Sequence, residues 1–226
     1  MASRVMGKVN AMRTYHDGCS SAHALDLVGE RWALLIVRDL LFGPKRFSDL
    51  RAGLPQGSPN VLTQRLRELE ASGVVRRRRL PPPTSIMVYE LTEWGAGLEP
   101  ILMGLQRWGA ASPSFPHDVP VGCDAAMLAL KNLFSPEAAA GVRGLVEVRF
   151  DTATFRVAVD DGVIDLRRGA ADRPDAVIET DPVTLEHVAF GAVAFEWAER
   201  SGSLRVSGDR GLVERFFRLF PVPAGP

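Results

Sequence analysis

The sequence contains little cysteine, no long hydrophobic run and no overall excess of charge of either sign. Its two cysteines, Cys19 and Cys123, are too few for a disulfide framework and lack the spacing of metal ligands. No stretch approaches the ~20 apolar residues that a membrane-spanning helix needs. The first residues carry charges without the apolar segment of a secretory signal. These absences predict a cytoplasmic protein, and we expect no metal and no other cofactor.

The motifs of common enzymes are also missing. The chain has no glycine-rich phosphate loop and no nucleophile elbow, and its four histidines are scattered. The adjacent carboxylates Asp160 and Asp161 precede Gly162, and turn formation explains this pattern more simply than catalysis does. We therefore expect a protein that is not an enzyme.

The charge that the chain does carry is unevenly distributed over its 226 residues. Residues 1–112 contain 15 lysines and arginines against 10 acidic residues, whereas residues 113–226 contain 12 against 17. Pro113, Pro116 and Pro120 interrupt regular structure between these halves. We predict two domains, 1–112 and 122–226, of which only the first would meet a polyanion.

The first domain is predicted to be mainly helical with one hairpin. Apolar residues recur at helical spacing in several segments, and Ser58 followed by Pro59 is typical of a helix start. Proline-rich residues 81–85 separate two strand-like runs. The predicted order is helix 22–41, helix 46–54, helix 58–72, strand 74–80, strand 86–92 and helix 93–111. This order indicates a winged helix-turn-helix domain.

The predicted helix 58–72 has the two faces that a DNA-reading helix needs. Leu62, Leu66 and Leu69 repeat at helical spacing and form a buried face. The other face carries side chains that can hydrogen-bond base edges or phosphates. They are Asn60, Thr63, Gln64 and Arg67. These residues predict a recognition helix that enters the major groove.

Consecutive arginines occupy the first strand of the predicted hairpin, at positions 76–79. Strand alternation sends two of them to each face, so they are not all core. A basic wing can hold the DNA backbone or minor groove; the alternative is a solvated charge run. Met87, Tyr89 and Leu91 of the second strand are expected to pack inward. The predicted DNA contacts are Lys45, Arg46, Ser58, Asn60, Thr63, Gln64, Arg65, Arg67, Arg76, Arg77, Arg78 and Arg79.

The second domain has a different pattern, with short strand-like runs and interspersed helical segments. It is predicted to be α+β with a mainly antiparallel sheet. The expected strands are 145–151, 154–160, 162–168, 176–181 and 203–207. The expected helices are 125–133, 182–190, 194–200 and 209–220.

Distinctive short segments follow one another between Cys19 and about residue 111. They are Leu-Asp-Leu-Val-Gly-Glu-Arg-Trp at 25–32, Arg-Phe-Ser-Asp-Leu at 46–50, Leu-Thr-Gln-Arg-Leu-Arg-Glu-Leu-Glu at 62–70 and Tyr-Glu-Leu-Thr-Glu-Trp-Gly at 89–95. In order and spacing this stretch resembles the HxlR family of bacterial winged-helix regulators, relatives of the MarR group. The resemblance implies a sequence-specific DNA-binding regulator of transcription, and we favour a repressor.

The HxlR resemblance also implies a homodimer in which the first and last helices of the domain form the interface. A dimer predicts a two-fold-related operator. The candidate interface residues are Leu98, Ile101, Leu102, Leu105 and Trp108. For each of them the alternative is a place in the core of its own chain.

In several members of the HxlR family, the cysteine at the position of Cys19 senses oxidants or electrophiles. This chemistry needs an exposed thiolate with a lowered pKa, and Cys19 precedes a predicted helix start. A redox-sensing regulator is therefore an alternative function. The simpler interpretation is an inert or helix-capping residue.

A second resemblance concerns residues 175–213. Here Ala-Val-Ile-Glu-Thr-Asp-Pro at 176–182 and Gly-Ser-Leu-Arg-Val-Ser-Gly-Asp at 202–209 resemble the sterol-carrier-protein (lipid-transfer) domain. The resemblance implies an apolar cavity for an acyl, polyketide or sterol-like effector. The candidate lining residues are Leu185, Val188, Phe190, Phe195, Trp197, Phe216, Phe217 and Phe220. Ordinary core packing is the alternative for these side chains.

Two functions follow from these resemblances. The first is a DNA-binding regulator controlled by an apolar small molecule. The alternative is a carrier of lipids or other apolar ligands, whose N-terminal domain only dimerises. The arginine run and the polar helix face favour the regulator, with DNA as the partner and no membrane partner.

Overall fold

We describe the protein from a computed structural model that covers residues 14–116 and 119–221. The first half contains helices and one antiparallel hairpin in the order that the sequence predicts. The elements are α1 Ser20–Val28, α2 Ala33–Leu40, α3 Phe47–Gly53, α4 Pro59–Ala71, β1 Val75–Arg79, β2 Met87–Leu91, α5 Glu93–Ala96 and α6 Glu99–Ala110. A helix-turn-helix followed by a two-stranded wing is therefore present.

The two longest predicted helices are each broken into two. The helix expected over 22–41 ends before Trp32, whose φ of 79° lies in the left-handed region, and α2 begins at the next residue. The helix expected over 93–111 is interrupted before α6. Pro100 lies in the first turn of α6, where its missing N–H costs no helical hydrogen bond. Periodicity alone could not detect these breaks, because the apolar stripe continues across them.

The second half is an α+β unit, as predicted. Its elements are α7 Cys123–Leu133, β3 Arg143–Phe150, β4 Ala153–Asp160, β5 Val163–Arg168, β6 Ala176–Thr180, α8 Pro182–Ala189, α9 Phe195–Ser201, β7 Leu204–Gly208 and α10 Arg210–Phe217. The strands form one sheet in the order β5-β4-β3-β6-β7. The β3–β6 pair is parallel and the other neighbouring pairs are antiparallel, so the sheet is mixed.

Local chemistry explains the hairpins of this sheet. Between β4 and β5, Asp161 and Gly162 have φ of 47° and 87°, the two left-handed residues that a tight hairpin turn needs. Along β3 and β4, Val146, Phe155 and Val157 are completely buried. In β4 the buried residues alternate with more exposed ones, because successive strand side chains point to opposite faces.

The two halves pack against each other. Phe42, which follows α2, lies with its ring 5.8 Å from that of Phe155 in an edge-to-face arrangement. The backbone N–H of Arg168, the last residue of β5, donates to the carbonyl oxygen of Phe42 at 2.7 Å. Buried side chains of both halves belong to one continuous hydrophobic cluster. The predicted boundaries at 112 and 122 remain predictions, and residues 117–118 between them lie outside the described part.

No helix within the described ranges has the length and hydrophobicity needed to cross a membrane.

Candidate nucleic-acid interface

The buried face of α4 fixes this helix in the first half. Leu62, Leu66 and Leu69 are each 1% exposed, as predicted from their spacing. At the start of the helix, the Ser58 hydroxyl accepts a hydrogen bond from the N–H of Val61 at 3.4 Å. The helix therefore sits on a rigid apolar base, with its N-terminal turn capped.

The opposite face of α4 offers polar side chains to solvent. Asn60 and Arg67 are exposed, whereas Thr63 and Gln64 are half-buried. Val61, which is not among the predicted contacts, is also 39% exposed in the first turn. A small apolar side chain at this position can contact a thymine methyl group. The face thus combines hydrogen-bonding and apolar groups.

Two of the predicted contacts on α4 are engaged within the protein. The amide of Gln64 donates to Glu68 at 2.7 Å, and the guanidinium of Arg65 pairs with Glu68 and lies 3.7 Å from Glu30. The Arg65 side chain is only 16% exposed. We therefore correct the prediction for Arg65: its charge stabilises the packing of α4 and is not free for a phosphate.

Lys45 is also not available to DNA. It is 3% exposed, and its ammonium group lies 2.5 Å from Asp124 and 3.5 Å from Asp39. Because the sequence shows charge but not burial, it could not separate this lysine from surface cations. Arg46, the next residue, is exposed and pairs with Asp49 at 2.8 Å. Of Lys45 and Arg46, therefore, only Arg46 is accessible to solvent.

In the wing, Glu90 holds two arginines. β1 and β2 pair so that Arg76 lies opposite Glu90. One Glu90 oxygen accepts from Arg76 Nε at 2.8 Å and the other from Arg78 Nε at 2.6 Å. Partial burial raises the pKa of Glu90, but the hydrogen bonds and charges of Arg78 and Arg76 outweigh it and lower the pKa overall. Glu90 is therefore an anion that neutralises part of the arginine run.

The two other wing arginines have different partners. Arg77 donates to Glu70, near the end of α4, at 3.0 Å. Arg79 donates to the carbonyl oxygen of Ser85 at 3.1 Å. Within the described residues, Arg79 is thus the wing arginine that has no carboxylate partner. The run consists of three paired cations and one next to the hairpin tip.

Among the β2 side chains, Val88 is 2% exposed and Met87 is 46% exposed. Tyr89 and Leu91 are half-buried. Tyr89 and Leu91 pack against the core as expected, whereas the expected inward packing of Met87 is wrong, because Met87 is the β2 residue nearest the hairpin tip. The wing arginines are exposed on both faces, as expected from strand alternation.

The predicted dimer residues divide into two groups. Ile101, Leu105 and Trp108 of α6 are 53%, 44% and 78% exposed. Leu102 is 6% exposed and packs within its own chain, which was the alternative for each residue. Leu98 is half-buried. An exposed apolar stripe on α6 therefore remains without a partner inside the described chain, since its residues face away from the core.

Cys19 is exposed and free. It precedes α1, and the backbone N–H groups of Ala22 and Ser21 lower the pKa of its thiol. Cys123 is less exposed, and burial raises the pKa of its thiol. Only Cys19 combines access with a stabilised thiolate.

The predicted ligand-lining residues lie mostly in the packed interior. Leu185, Val188, Phe216, Phe217 and Phe220 are buried. The rings of Phe216 and Phe220 are 5.0 Å apart, and Phe195 is 5.6 Å from Phe217. Phe190 is half-buried and Trp197 is 55% exposed. Their mutual contacts fit core packing, and Trp197 lies outside it.

A separate surface pocket of 760 Å³ lies where β3, β6 and the first turns of α7 and α8 meet. The described residues that line it include Arg149, Glu179, Asp181 and Arg205, and none of the eight predicted ligand residues. Its lining combines these charged side chains with apolar groups in about equal parts, so it is not the mainly apolar cavity that the second resemblance implies.

Comparison with known proteins concerns the first half. A family model described as HxlR-like helix-turn-helix matches residues 27–114. The chain is 44% identical over 94 residues to the uncharacterized HTH-type transcriptional regulator YvaP of Bacillus subtilis, covering 41% of this chain and 87% of YvaP. It is 39% identical over 85 residues to the HTH-type transcriptional regulator YodB of the same species, covering 38% of this chain and 76% of YodB. The solved reduced form of YodB has 35% identity and a TM-score of 0.39, covering 42% of this chain and 95% of that one.

Proposed function

The chain belongs to the HxlR family of helix-turn-helix transcription regulators, and on that premise we propose that it binds a specific duplex operator through α4 and the wing. The observation that carries this proposal is the exposed face of α4 with Asn60, Val61 and Arg67, held rigid by three buried leucines. Asn and Arg can each make two hydrogen bonds to a base edge in the major groove. Arg79 at the wing adds a phosphate contact.

The protein acts as a homodimer in this proposal. Ile101, Leu105 and Trp108 form the exposed apolar stripe of α6, and Leu25 of α1 is also 50% exposed. A second copy that covered this stripe would bring two α4 helices to successive major grooves, so the operator would be two-fold related. Bound at a promoter, such a dimer would repress transcription by occupying the site.

An anisotropy titration of the full chain against DNA selected from a random pool tests this function. We expect binding that weakens as salt rises, because phosphate contacts release counterions. Arg67→Ala should cost roughly 1–3 kcal/mol on the selected sequence if Arg67 reads a guanine. Arg143→Ala, which removes an exposed arginine from the second half, is the control and should bind as the wild type does.

For the second half we propose a domain of the sterol-carrier-protein type that senses an apolar effector. Support comes from the resembling residues 175–213, which form β6, α8, α9, β7 and the start of α10 in the unit that holds the mixed five-stranded sheet. The effector would act by favouring one arrangement of the two α4 helices. Native mass spectrometry of the purified protein, followed by titration of DNA with any extracted molecule, tests it. An empty protein whose DNA affinity does not change with acyl or sterol ligands would contradict it.

Cys19 supports a second candidate function, regulation by oxidants or electrophiles. The thiol is exposed and its pKa is lowered by backbone N–H groups at the start of α1, so the reactive thiolate is favoured. Peroxide or quinone treatment should modify Cys19 and change DNA affinity in the wild type but not in Cys19→Ser. Cys123→Ser is the matched control, because burial raises the pKa of that thiol.

A further inference from the structure

Buried charges lie at the junction of the two halves. The carboxylate of Asp124, in the first turn of α7, pairs with Lys45 of the first half and with Arg168 at the end of β5. Asp39 of α2 pairs with Arg38 at 2.7 Å and with Lys45 at 3.5 Å. Asp39, Lys45 and Asp124 are at most 5% exposed. We call Asp39, Lys45, Asp124 and Arg168 the junction cluster.

Lys45 connects this cluster to the wing. Its backbone N–H donates to the carbonyl oxygen of Tyr89 at 2.9 Å, and the N–H of Tyr89 donates back at 2.8 Å. Tyr89 precedes Glu90, which holds Arg76 and Arg78. One residue therefore pairs with β2 through its backbone and with α7 through its side chain.

Other contacts make this junction stiff. The guanidinium of Arg168 lies 4.6 Å from the centre of the Phe155 ring, which also packs on Phe42. Gly53, the last residue of α3, also lies against this cluster: a Cβ there would clash with the Asp39 carboxylate and lie 3.8 Å from the Lys45 ammonium nitrogen. The segment between α2 and α3 is thus packed against the second half.

The far end of α7 contacts α6, the helix that carries the exposed apolar stripe. The amide of Asn132 donates to the carbonyl oxygen of Met103 at 3.1 Å and accepts from Arg107 at 2.5 Å. Lys131 pairs with Glu99. Because α7 pairs with Lys45 at one end and contacts α6 at the other, a shift of α7 would alter both Lys45 and α6.

We propose that Asp124 is a positioning residue for DNA binding, which acts through Lys45 to fix the base of the wing. This inference rests on the proposed DNA-binding function. Removing the Asp124 charge leaves the buried ammonium group of Lys45 with only the more distant Asp39, and a buried ion without a close partner is unfavourable. The Lys45–Tyr89 pairing then opens more often, and the wing arginines lose their fixed position.

The test compares the full chain with its Asp124→Asn variant by amide hydrogen exchange and by DNA titration. The amides of Lys45 and Tyr89 should exchange about tenfold faster, while those in the middle of α4 keep their protection. Affinity for a random-sequence duplex of about 30 base pairs should fall about tenfold. Asp165→Asn is the control: this exposed β5 acid pairs with Arg167 and should change neither quantity.

A double-mutant cycle with Lys45→Met tests whether Asp124 acts on the wing through Lys45. In Lys45→Met each buried acid keeps an arginine, Asp39 with Arg38 and Asp124 with Arg168, so this variant also serves if Asp124→Asn fails to fold. Lys45→Met should reproduce both changes, and Asp124→Asn added to it should weaken DNA binding by less than twofold more. The proposal would be overturned if Asp124→Asn weakened DNA binding equally in the presence and in the absence of Lys45. Unchanged amide exchange at Tyr89 in either single variant would also overturn it. If the wild type binds no DNA, the proposed function fails, and the exchange data still decide whether Asp124 fixes the wing.

Discussion

Glu90→Gln should make the protein bind DNA more tightly at low salt and with a steeper salt dependence. Glu90 is 13% exposed on its side chain and pairs with both Arg76 and Arg78. In the wild type, the Glu90 carboxylate neutralises part of the positive charge of these two arginines. Glutamine keeps a hydrogen-bonding side chain of the same size but removes the anion, so both guanidinium groups become available to phosphates.

The expected size of this effect follows from counterion release. Each new phosphate contact steepens the slope of log affinity against log salt by about 0.9, so two arginines add about 1.8 per chain. Between about 50 and about 200 mM salt, this slope corresponds to about a 12-fold greater loss of affinity than the wild type shows for a single chain. For the proposed homodimer the two wings add about 3.6 to the slope, which corresponds to about a 150-fold greater loss. The affinity of Glu90→Gln at the lower salt should therefore exceed that of the wild type.

Fluorescence anisotropy with a random-sequence duplex over a salt series measures both quantities. Glu93→Gln is the matched control, because Glu93 is an exposed acid in the first turn of α5 and the described residues include no arginine paired with it. Glu93→Gln changes the net charge by the same amount as Glu90→Gln but does not release an arginine. An unchanged slope in Glu90→Gln, or an equal change in Glu93→Gln, would show that Glu90 does not hold Arg76 and Arg78 away from phosphates.

Other perturbations test the packing, the assembly and a titrating group. Leu66→Ala should lower the free energy of unfolding by about 2–5 kcal/mol, since Leu66 is 1% exposed; a denaturant titration that shows no loss would contradict the assigned face of α4. Trp108→Glu should convert dimers to monomers in sedimentation, because the exposed stripe of α6 would gain a charge at a 78% exposed position. Burial raises the pKa of Glu186 from 4.5 to about 7, so the folded state holds this proton more tightly and stability falls as pH rises between these values. Glu186→Gln should therefore stabilise the protein by about 1–2 kcal/mol at about pH 8, less than full burial would give because the side chain is partly solvated, and should add little at about pH 5.

The repeat of apolar residues predicted the positions of most elements. Leu62, Leu66 and Leu69 are buried as their spacing indicates, and the strands of the second half begin and end within a few residues of the predicted positions. The break at Trp32 was not predictable, because it depends on a left-handed backbone conformation within an unbroken apolar pattern. Local patterns therefore specify elements better than they specify the places where elements bend.

Only the tertiary structure shows which of the predicted DNA contacts are exposed and which are buried or paired within the protein. Sequence treats Lys45, Arg65 and Arg67 as equivalent cations near a recognition helix. Lys45 is buried against Asp124, which is distant in the sequence, and Arg65 is enclosed by Glu68 and Glu30. Only Arg67 is exposed. The local sequence does not show which of these cations is exposed, because the carboxylates that pair with Lys45 and Arg65 come from another helical turn or another element.

Sequence-specific reading of DNA by α4 and the wing can be measured by selecting DNA from a random pool with the full chain. Protection mapping of the enriched sequence then locates the contacts. We predict a two-fold-related motif with protected half-sites about 10–10.5 base pairs, or a multiple of this, apart. Arg67→Ala should relax base preference at one position in each half-site, while Arg79→Ala weakens binding equally at all sequences. A pool that yields no enriched motif, or binding that does not respond to salt, would contradict the conclusion that α4 and the wing read DNA.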